Sequence, residues 1–171
     1  MNKAVFLDRD GTINVDFGYV HTKDKLEFVP GVLDALAEIQ VAGFKLIIIT
    51  NQSGIARGYF SLEQYRDFEN YMLEKMAEAG ILIDGVYVCP HGPQDHCGCR
   101  KPKSGLYERA ANDFDIDLKS SYVVGDNERD LVVCNLKGIQ GIFYGETEIA
   151  LNCVVRFTTW KEISGYILGK M

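Results

Sequence analysis

No stretch of the 171 residues approaches the run of about 20 apolar residues needed to cross a bilayer, so no membrane span is expected. The opening residues, Met1-Asn2-Lys3-Ala4-Val5-Phe6-Leu7-Asp8, carry one lysine and a four-residue apolar stretch that ends in an acid. That stretch is too short for the core of a secretory signal, and a cytoplasmic location is expected. Positive charge is in short supply as well: 18 lysines and arginines face 24 acids, a net charge of −6. A protein of that sign gains nothing by docking on a polyanion, which argues against a general nucleic-acid or anionic-membrane partner. There is no internal repeat, low-complexity tract or linker-like shift in composition, so the chain reads as a single domain over 1–171. Its pattern shows no long exposed apolar helix face, and a monomer is expected.

What is present is an alternation of short apolar strands with amphipathic helical stretches. Strands are expected over 4–7, 45–50, 85–88, 122–125, 139–144 and, as an edge, 154–157. Helices are expected over 31–42, 61–80, 105–114 and 128–136, with a last one from Thr159. Ser61 with Gln64 and Thr159 with Glu162 have the spacing of capping boxes and mark two helix starts independently of the apolar pattern. The runs Val5-Phe6-Leu7, Leu46-Ile47-Ile48-Ile49 and Tyr122-Val123-Val124 do not alternate with polar residues, as expected of strands covered on both faces. The pattern implies an α/β fold with a doubly wound parallel sheet. In such sheets ligands sit beyond the carboxyl ends of the strands, which singles out Asp8, Thr50, Cys89 and Asp126.

Asp8-Arg9-Asp10-Gly11-Thr12 follows the first strand. Two carboxylates two residues apart at a strand end can supply a nucleophile and a separate proton-transfer group, with magnesium offsetting their repulsion. The plainer alternative is a tight turn at Asp10-Gly11. Three further strand-end signals weigh against it. Thr50-Asn51 offers a hydroxyl and backbone N–H groups to a phosphoryl oxygen. Arg100-Lys101 supplies cations for the charge of a transferring phosphoryl group. Asp126 adds a third carboxylate, giving an oxygen-rich site suited to Mg²⁺.

Asp-x-Asp-Gly-Thr, Thr-Asn-Gln, Lys-Pro and Gly-Asp, in that order, resemble the four motifs of the haloacid dehalogenase superfamily. That resemblance implies a phosphatase in which Asp8 attacks phosphorus, Asp10 protonates the leaving alcohol and then activates water, and Thr50 and Lys101 hold the phosphoryl oxygens. It also implies magnesium on Asp8, the main-chain carbonyl of Asp10, and Asp126, with Asn127 and Asp130 nearby. Asp130 has an alternative as a cap or ion-pair partner within its own short helix. Segments 6–16, 18–20 and 50–58 and Cys99-Arg100-Lys101-Pro102 resemble the D-glycero-D-manno-heptose-1,7-bisphosphate 7-phosphatase family more closely, with motifs met from Phe6 to Asp130. By that resemblance Arg100 recognises the substrate, and Asp16, Tyr19, Asn51, Gln52, Ser53 and Asn127 line its site. The substrate would be a sugar bisphosphate on the way to the nucleotide-activated heptose of lipopolysaccharide or surface glycans. The motifs do not separate the α from the β anomer. Histidinol-phosphate phosphatase shares the aspartates, Thr-Asn-Gln, a short zinc loop and Cys-Arg-Lys-Pro, whereas Ser53-Gly54-Ile55-Ala56-Arg57-Gly58 favours the heptose family. A zinc-stabilised binding module without activity is a third reading, opposed by the complete set of Asp8, Asp10, Thr50, Lys101 and Asp126.

Five cysteines make an odd number for a disulfide scaffold, and three of them lie between residues 89 and 99. Cys89, His91, Cys97 and Cys99 would fill a tetrahedral Zn²⁺ shell, leaving no position for a water, so the site is expected to be structural. A disulfide is the alternative, and the cytoplasm disfavours it. The heptose family carries the same zinc pattern, often with a longer insert. Because Arg100-Lys101 directly follows Cys99, zinc would fix a loop that bears two cations. His96 and His21 are expected to be bystanders in loops, and Cys134 and Cys153 small core residues.

A folded cap domain fits neither between Thr12 and Lys45 nor between Asn51 and Arg100. The active site should therefore be open, with selectivity in short loops. Arg57 is a candidate for a second, non-reacting phosphate or for sugar hydroxyls, against the alternative of a solvated loop arginine.

Overall fold

The unalternating apolar runs become the centre of a six-stranded, all-parallel sheet, described by a computed structural model over residues 1–170. Met171, the last residue of the domain expected over 1–171, lies outside the described residues. The strands are β1 (Ala4–Leu7), β2 (Lys45–Asn51), β3 (Gly85–Cys89), β4 (Tyr122–Gly125), β5 (Gln140–Tyr144) and β6 (Val154–Phe157). They lie in the order β3-β2-β1-β4-β5-β6, which puts β6 at an edge as expected. Phe6 is in register with Ile47 on one side and Val123 on the other.

The helices are α1 (Val32–Val41), α2 (Leu62–Glu78), α3 (Gly105–Asp113), α4 (Glu128–Leu131), α5 (Val133–Lys137) and α6 (Trp160–Ile167). Alternate residues of each central strand feed two separate cores. Val5, Leu7, Leu46, Ile48 and Val124 pack with apolar residues of α1, α2 and α6. Phe6, Ile47, Ile49 and Val123 pack on the other face with α3 and the α4–α5 pair. This two-sided burial is why the strand sequences lack polar alternation.

Both expected capping boxes are formed, at Ser61 with Gln64 and at Thr159 with Glu162. The helix expected over 128–136 is divided at Val132, which keeps helical angles (φ −56°, ψ −30°) and so joins two short pieces rather than a helix and a loop. β2 and β3 each run one residue beyond the expectation because Asn51 pairs with Cys89. The sheet changes its direction of winding between β1 and β4, so the carboxyl ends of these two neighbours open a crevice between them. Asp8 and Asp126 are the first residues beyond those ends.

Candidate active site

Backbone geometry brings the two strand ends together. Gly11 has φ +83°, and a Cβ there would lie 2.1 Å from Oδ2 of Asp126. Only glycine permits both the left-handed turn and that approach. Thr12 Oγ1 donates to Asp126 Oδ1 at 3.2 Å, and Trp160 Nε1, from α6, donates to the Thr12 carbonyl at 3.0 Å. The turn after β1 is thus braced on one side by Asp126 and on the other by the fully buried Trp160.

Lys101 is 2% exposed, and its Nζ donates to Asp8 Oδ1 at 2.7 Å and to the Ile49 carbonyl at 2.8 Å, with Asp130 Oδ1 at 2.8 Å. Burial alone would lower the pKa of this ammonium, but Asp130 and Asp8 outweigh it and keep the lysine charged. Of the alternatives foreseen for Asp130 within its own short helix, the cap is formed, whereas its ion-pair partner lies outside that helix. Asp130 pairs with Lys101, and its Oδ2 accepts the Asn127 N–H at 3.1 Å in a capping box of α4.

One carboxylate oxygen from each of Asp8, Asp126 and Asp130 lies within 4.8 Å of the others. Burial, then the charge of Asp130, raises the pKa of Asp8 well above its ordinary value, with Lys101 opposing and Asp126 adding to the rise. Burial and then Asp130 likewise raise Asp126. Three clustered acids, two of them on one lysine, leave an excess of negative charge on hard oxygen donors, so the donor set fits a divalent cation such as Mg²⁺.

Asp10 is held differently. Arg9 Nε (3.2 Å), Arg9 Nη2 (2.8 Å) and Asn14 Nδ2 (3.0 Å) donate to its Oδ1, while Arg9 Nη2 (3.0 Å) and Gln52 Nε2 (3.0 Å) donate to its Oδ2. Gln52 Nε2 also donates to Thr50 Oγ1 at 2.9 Å, so this amide links the buried threonine to Asp10. Asn51 clamps the Lys101 main chain, donating from Nδ2 to its carbonyl (3.2 Å) and accepting its N–H at Oδ1 (3.0 Å). Gln52 and Asn51, expected at the substrate, thus also hold the reacting groups in place.

Asp8, Asp10, Asp16, Tyr19, Asn51, Gln52, Ser53, Arg57, Arg100, Asp126 and Asn127 all line one cleft of about 330 Å³, with Thr50 and Lys101 buried beneath it. Every site residue expected around phosphoryl transfer is therefore in or under a single cleft. Arg129 lines it too and was not singled out from the sequence; its place in the first turn of the helix that follows Asp126 was the available signal. Among the residues lining the cleft, Tyr19 is the one aromatic. Tyr19, at φ +50°, sets its ring 4.7 Å from that of Tyr59, and His21, rather than standing free, stacks on Phe60 at 4.6 Å.

Beside the cleft, Cys89, His91, Cys97 and Cys99 converge, with Sγ–Sγ and Sγ–Nδ1 separations of 3.2–3.6 Å. The edge of a tetrahedron of thiolates on zinc is about 3.8 Å, so the four donors fit one such ion with His91 using Nδ1. Burial pushes the Cys89 thiol up to about 12. At Cys97 burial acts in the same sense, but the N–H groups of Arg100 and Cys99 outweigh it and bring the thiol down to about 6. His96 is outside the cluster, as expected. Cys134 is buried in the second core, but Cys153 is not: it is exposed, with Sγ donating to Asn135 Oδ1 at 3.0 Å, because β6 is an edge strand and its preceding turn faces out.

A parallel sheet wound in this order, with carboxylates at its switch point, a buried lysine on one of them and a strand-end threonine below, defines a phosphohydrolase of the haloacid dehalogenase superfamily. The family model described as Polynucleotide kinase 3 phosphatase matches residues 3–163. D-glycero-beta-D-manno-heptose-1,7-bisphosphate 7-phosphatase of Haemophilus ducreyi is 47% identical over 145 residues, which cover 81% of this chain and 80% of that one. The enzyme of the same name from Helicobacter pylori is 46% identical over 132 residues, 77% and 76% of the two chains. Among solved structures, D,D-heptose 1,7-bisphosphate phosphatase from B. bronchiseptica, complexed with magnesium and phosphate, superposes with a TM-score of 0.88 at 30% identity over 99% of both chains. Within its superfamily, the chain belongs to the heptose bisphosphate phosphatase family.

Proposed function

We propose that this chain hydrolyses the C7 phosphate of D-glycero-D-manno-heptose 1,7-bisphosphate through an aspartyl-phosphate on Asp8. A carboxylate oxygen of Asp8 attacks phosphorus as the bond to the C7 oxygen breaks. Asp10 gives that oxygen its proton and then takes one from the water that attacks the aspartyl-phosphate. The bond between phosphorus and Asp8 breaks, phosphate leaves, and Asp10 is again protonated. Thr50 and Lys101 hold the phosphoryl oxygens as charge gathers on them. Asp8, Asp126 and the main-chain carbonyl of Asp10 would hold Mg²⁺, which when bound supplies positive charge against the phosphoryl group and the clustered acids. Cys89, His91, Cys97 and Cys99 would hold a structural Zn²⁺.

Asp16, Tyr19, Ser53, Arg100 and Asn127 would bind the sugar, and Arg57 the second phosphate. Support comes above all from the convergence of Asp8, Lys101 and Asp126 at the switch point, joined to the names of relatives identical to this chain at nearly half of the aligned positions. A polynucleotide substrate, which the name of the family model brings to mind, sits poorly with a net charge of −6. A monomer working in the cytoplasm agrees with the scatter of exposed apolar residues such as Val41, Leu82 and Leu136, and with the lack, among the described residues, of a helix able to cross a membrane.

The test is phosphate release from heptose 1,7-bisphosphate and from histidinol phosphate, each with magnesium, for the unaltered protein and Asp8→Asn. Release from the bisphosphate that disappears in Asp8→Asn is the expected outcome. Preference for histidinol phosphate would move the protein to another pathway with its chemistry intact, and inactivity on both would direct the search to other phosphoesters and then to the binding-module reading.

A further inference from the structure

Arg9 stands between the two aspartates at the end of β1, yet its side chain turns away from the cleft into the protein, where it is 1% exposed. Burying a guanidinium costs several kcal/mol unless its surroundings repay it. Here three sets of neighbours offset that cost in part. Nε and Nη2 make three of the five hydrogen bonds received by the Asp10 carboxylate. Nη2 also donates to the carbonyl of Val20 at 2.7 Å, directly after the Asp16–Tyr19 loop that lines the cleft. The guanidinium carbon also lies over the rings of Phe68 and Tyr65, both on α2, 4.9 and 5.8 Å from their centroids, while Nη1 is buried without a hydrogen-bond partner among the described residues.

We infer that Arg9 is a positioning residue for the acid/base group: its buried fork aims Asp10 at the leaving oxygen and, through Val20, fixes the substrate loop in register with it. The inference rests on the acid/base role proposed for Asp10. Its physical ground is that both Asp10 oxygens are tied by rigid donors while the carboxylate still borders the cleft. Rotation of the carboxylate, which would move its proton away from the reacting oxygen, is thereby suppressed. An arginine fork does this because its donors share one plane, and a lysine ammonium cannot reproduce it. Misplacement of a reacting group by about 1 Å costs on the order of 100-fold in rate.

Two effects should then be separable. Turnover depends on Arg9 only through Asp10, whereas substrate affinity depends on it through Val20. The experiment is a double-mutant cycle, with single-turnover rates on heptose 1,7-bisphosphate and magnesium for the unaltered protein, Arg9→Met, Asp10→Asn and the pair. Arg9→Met is expected to lower the rate at saturation about 100-fold when Asp10 is intact but by less than about threefold in the Asp10→Asn background, since a residue acting through another has no effect once that other is gone. The half-saturating concentration should rise in both backgrounds. Melting curves check folding, and Arg9→Lys, expected to recover part of the rate, runs the same cycle if Arg9→Met does not fold. An equal loss of rate in both backgrounds would overturn the inference and make Arg9 a brace of the fold alone. Undiminished turnover in Asp10→Asn by itself would instead remove the acid/base assignment, and the role of Arg9 with it.

Discussion

Asp126 shows how one side chain balances stability against chemistry. Its pKa and that of Asp8 are raised by burial and by neighbouring acids, so the metal-free folded site binds protons more tightly than the unfolded chain does. That contribution to stability is complete below the ordinary carboxylate value of 3.8 and is lost as the pH rises through the raised folded values. The metal-free protein should therefore melt lower at pH 7 than at mildly acidic pH, and magnesium should restore it. Asp126→Asn should raise the metal-free Tm at pH 7 by roughly 2–4 °C, the effect of about 1 kcal/mol in a domain of this size, while abolishing stabilisation by magnesium. Differential scanning calorimetry with and without the ion checks both signs. Gly11→Ala places a methyl against Asp126 in a left-handed turn, at a cost of about 1–2 kcal/mol, and should lower kcat/KM at least about 100-fold. At this scale Asp8, Asp10, Thr50, Lys101 and Asp126 were legible, because each follows or lies near a strand end and carries a group suited to phosphoryl transfer. Arg9, Trp160 and the linking role of Gln52 were not. The links from Arg9 to Val20, from Trp160 to Thr12 and from Gln52 to Asp10 span 11, 148 and 42 residues, and although Asp10 adjoins Arg9, a single sequence does not show that the arginine folds back onto it.

Between β3 and α3, the cysteine and histidine donors organise a segment without regular secondary structure. Its backbone passes so close to α3 that a Cβ on Gly105 would lie 2.5 Å from the Gly98 carbonyl. Arg100 Nη1 reaches the His91 carbonyl at 3.4 Å, so this arginine rests on the donor cluster itself, whereas Lys101 is anchored separately by Asn51, Ile49 and Asp130. Loss of zinc should accordingly raise KM before it lowers kcat. Cys99→Ser, or treatment with a strong chelator, is expected to raise KM for the bisphosphate about tenfold or more with a smaller change in turnover, and elemental analysis should give one zinc per chain before treatment. With the Cys89 thiol held up at about 12, binding must displace its proton, so zinc affinity should increase with pH. The cluster was legible from spacing alone. The independent anchoring of Lys101 was not, since it depends on where β2 ends.

Across the whole molecule, strand positions could be read closely because two-sided burial leaves unbroken apolar runs, and helix starts because capping boxes are local. The order in which the strands lie was less accessible: the step from β3 across to β4 reverses the winding, and no residue marks it. Neither was the ring contact of Tyr19 with Tyr59, which joins two loops 40 residues apart. The same long-range architecture gives the molecule a built-in optical probe. Trp160 is the only tryptophan in the chain, and its indole N–H is bonded to the turn that carries the nucleophile, one residue from Gly11 and through Thr12 to Asp126. Its fluorescence should therefore change when magnesium and vanadate fill the site, and stay unchanged in Asp126→Asn. Occupancy of the active site can then be followed in real time by the protein's own light, without label or coupled assay.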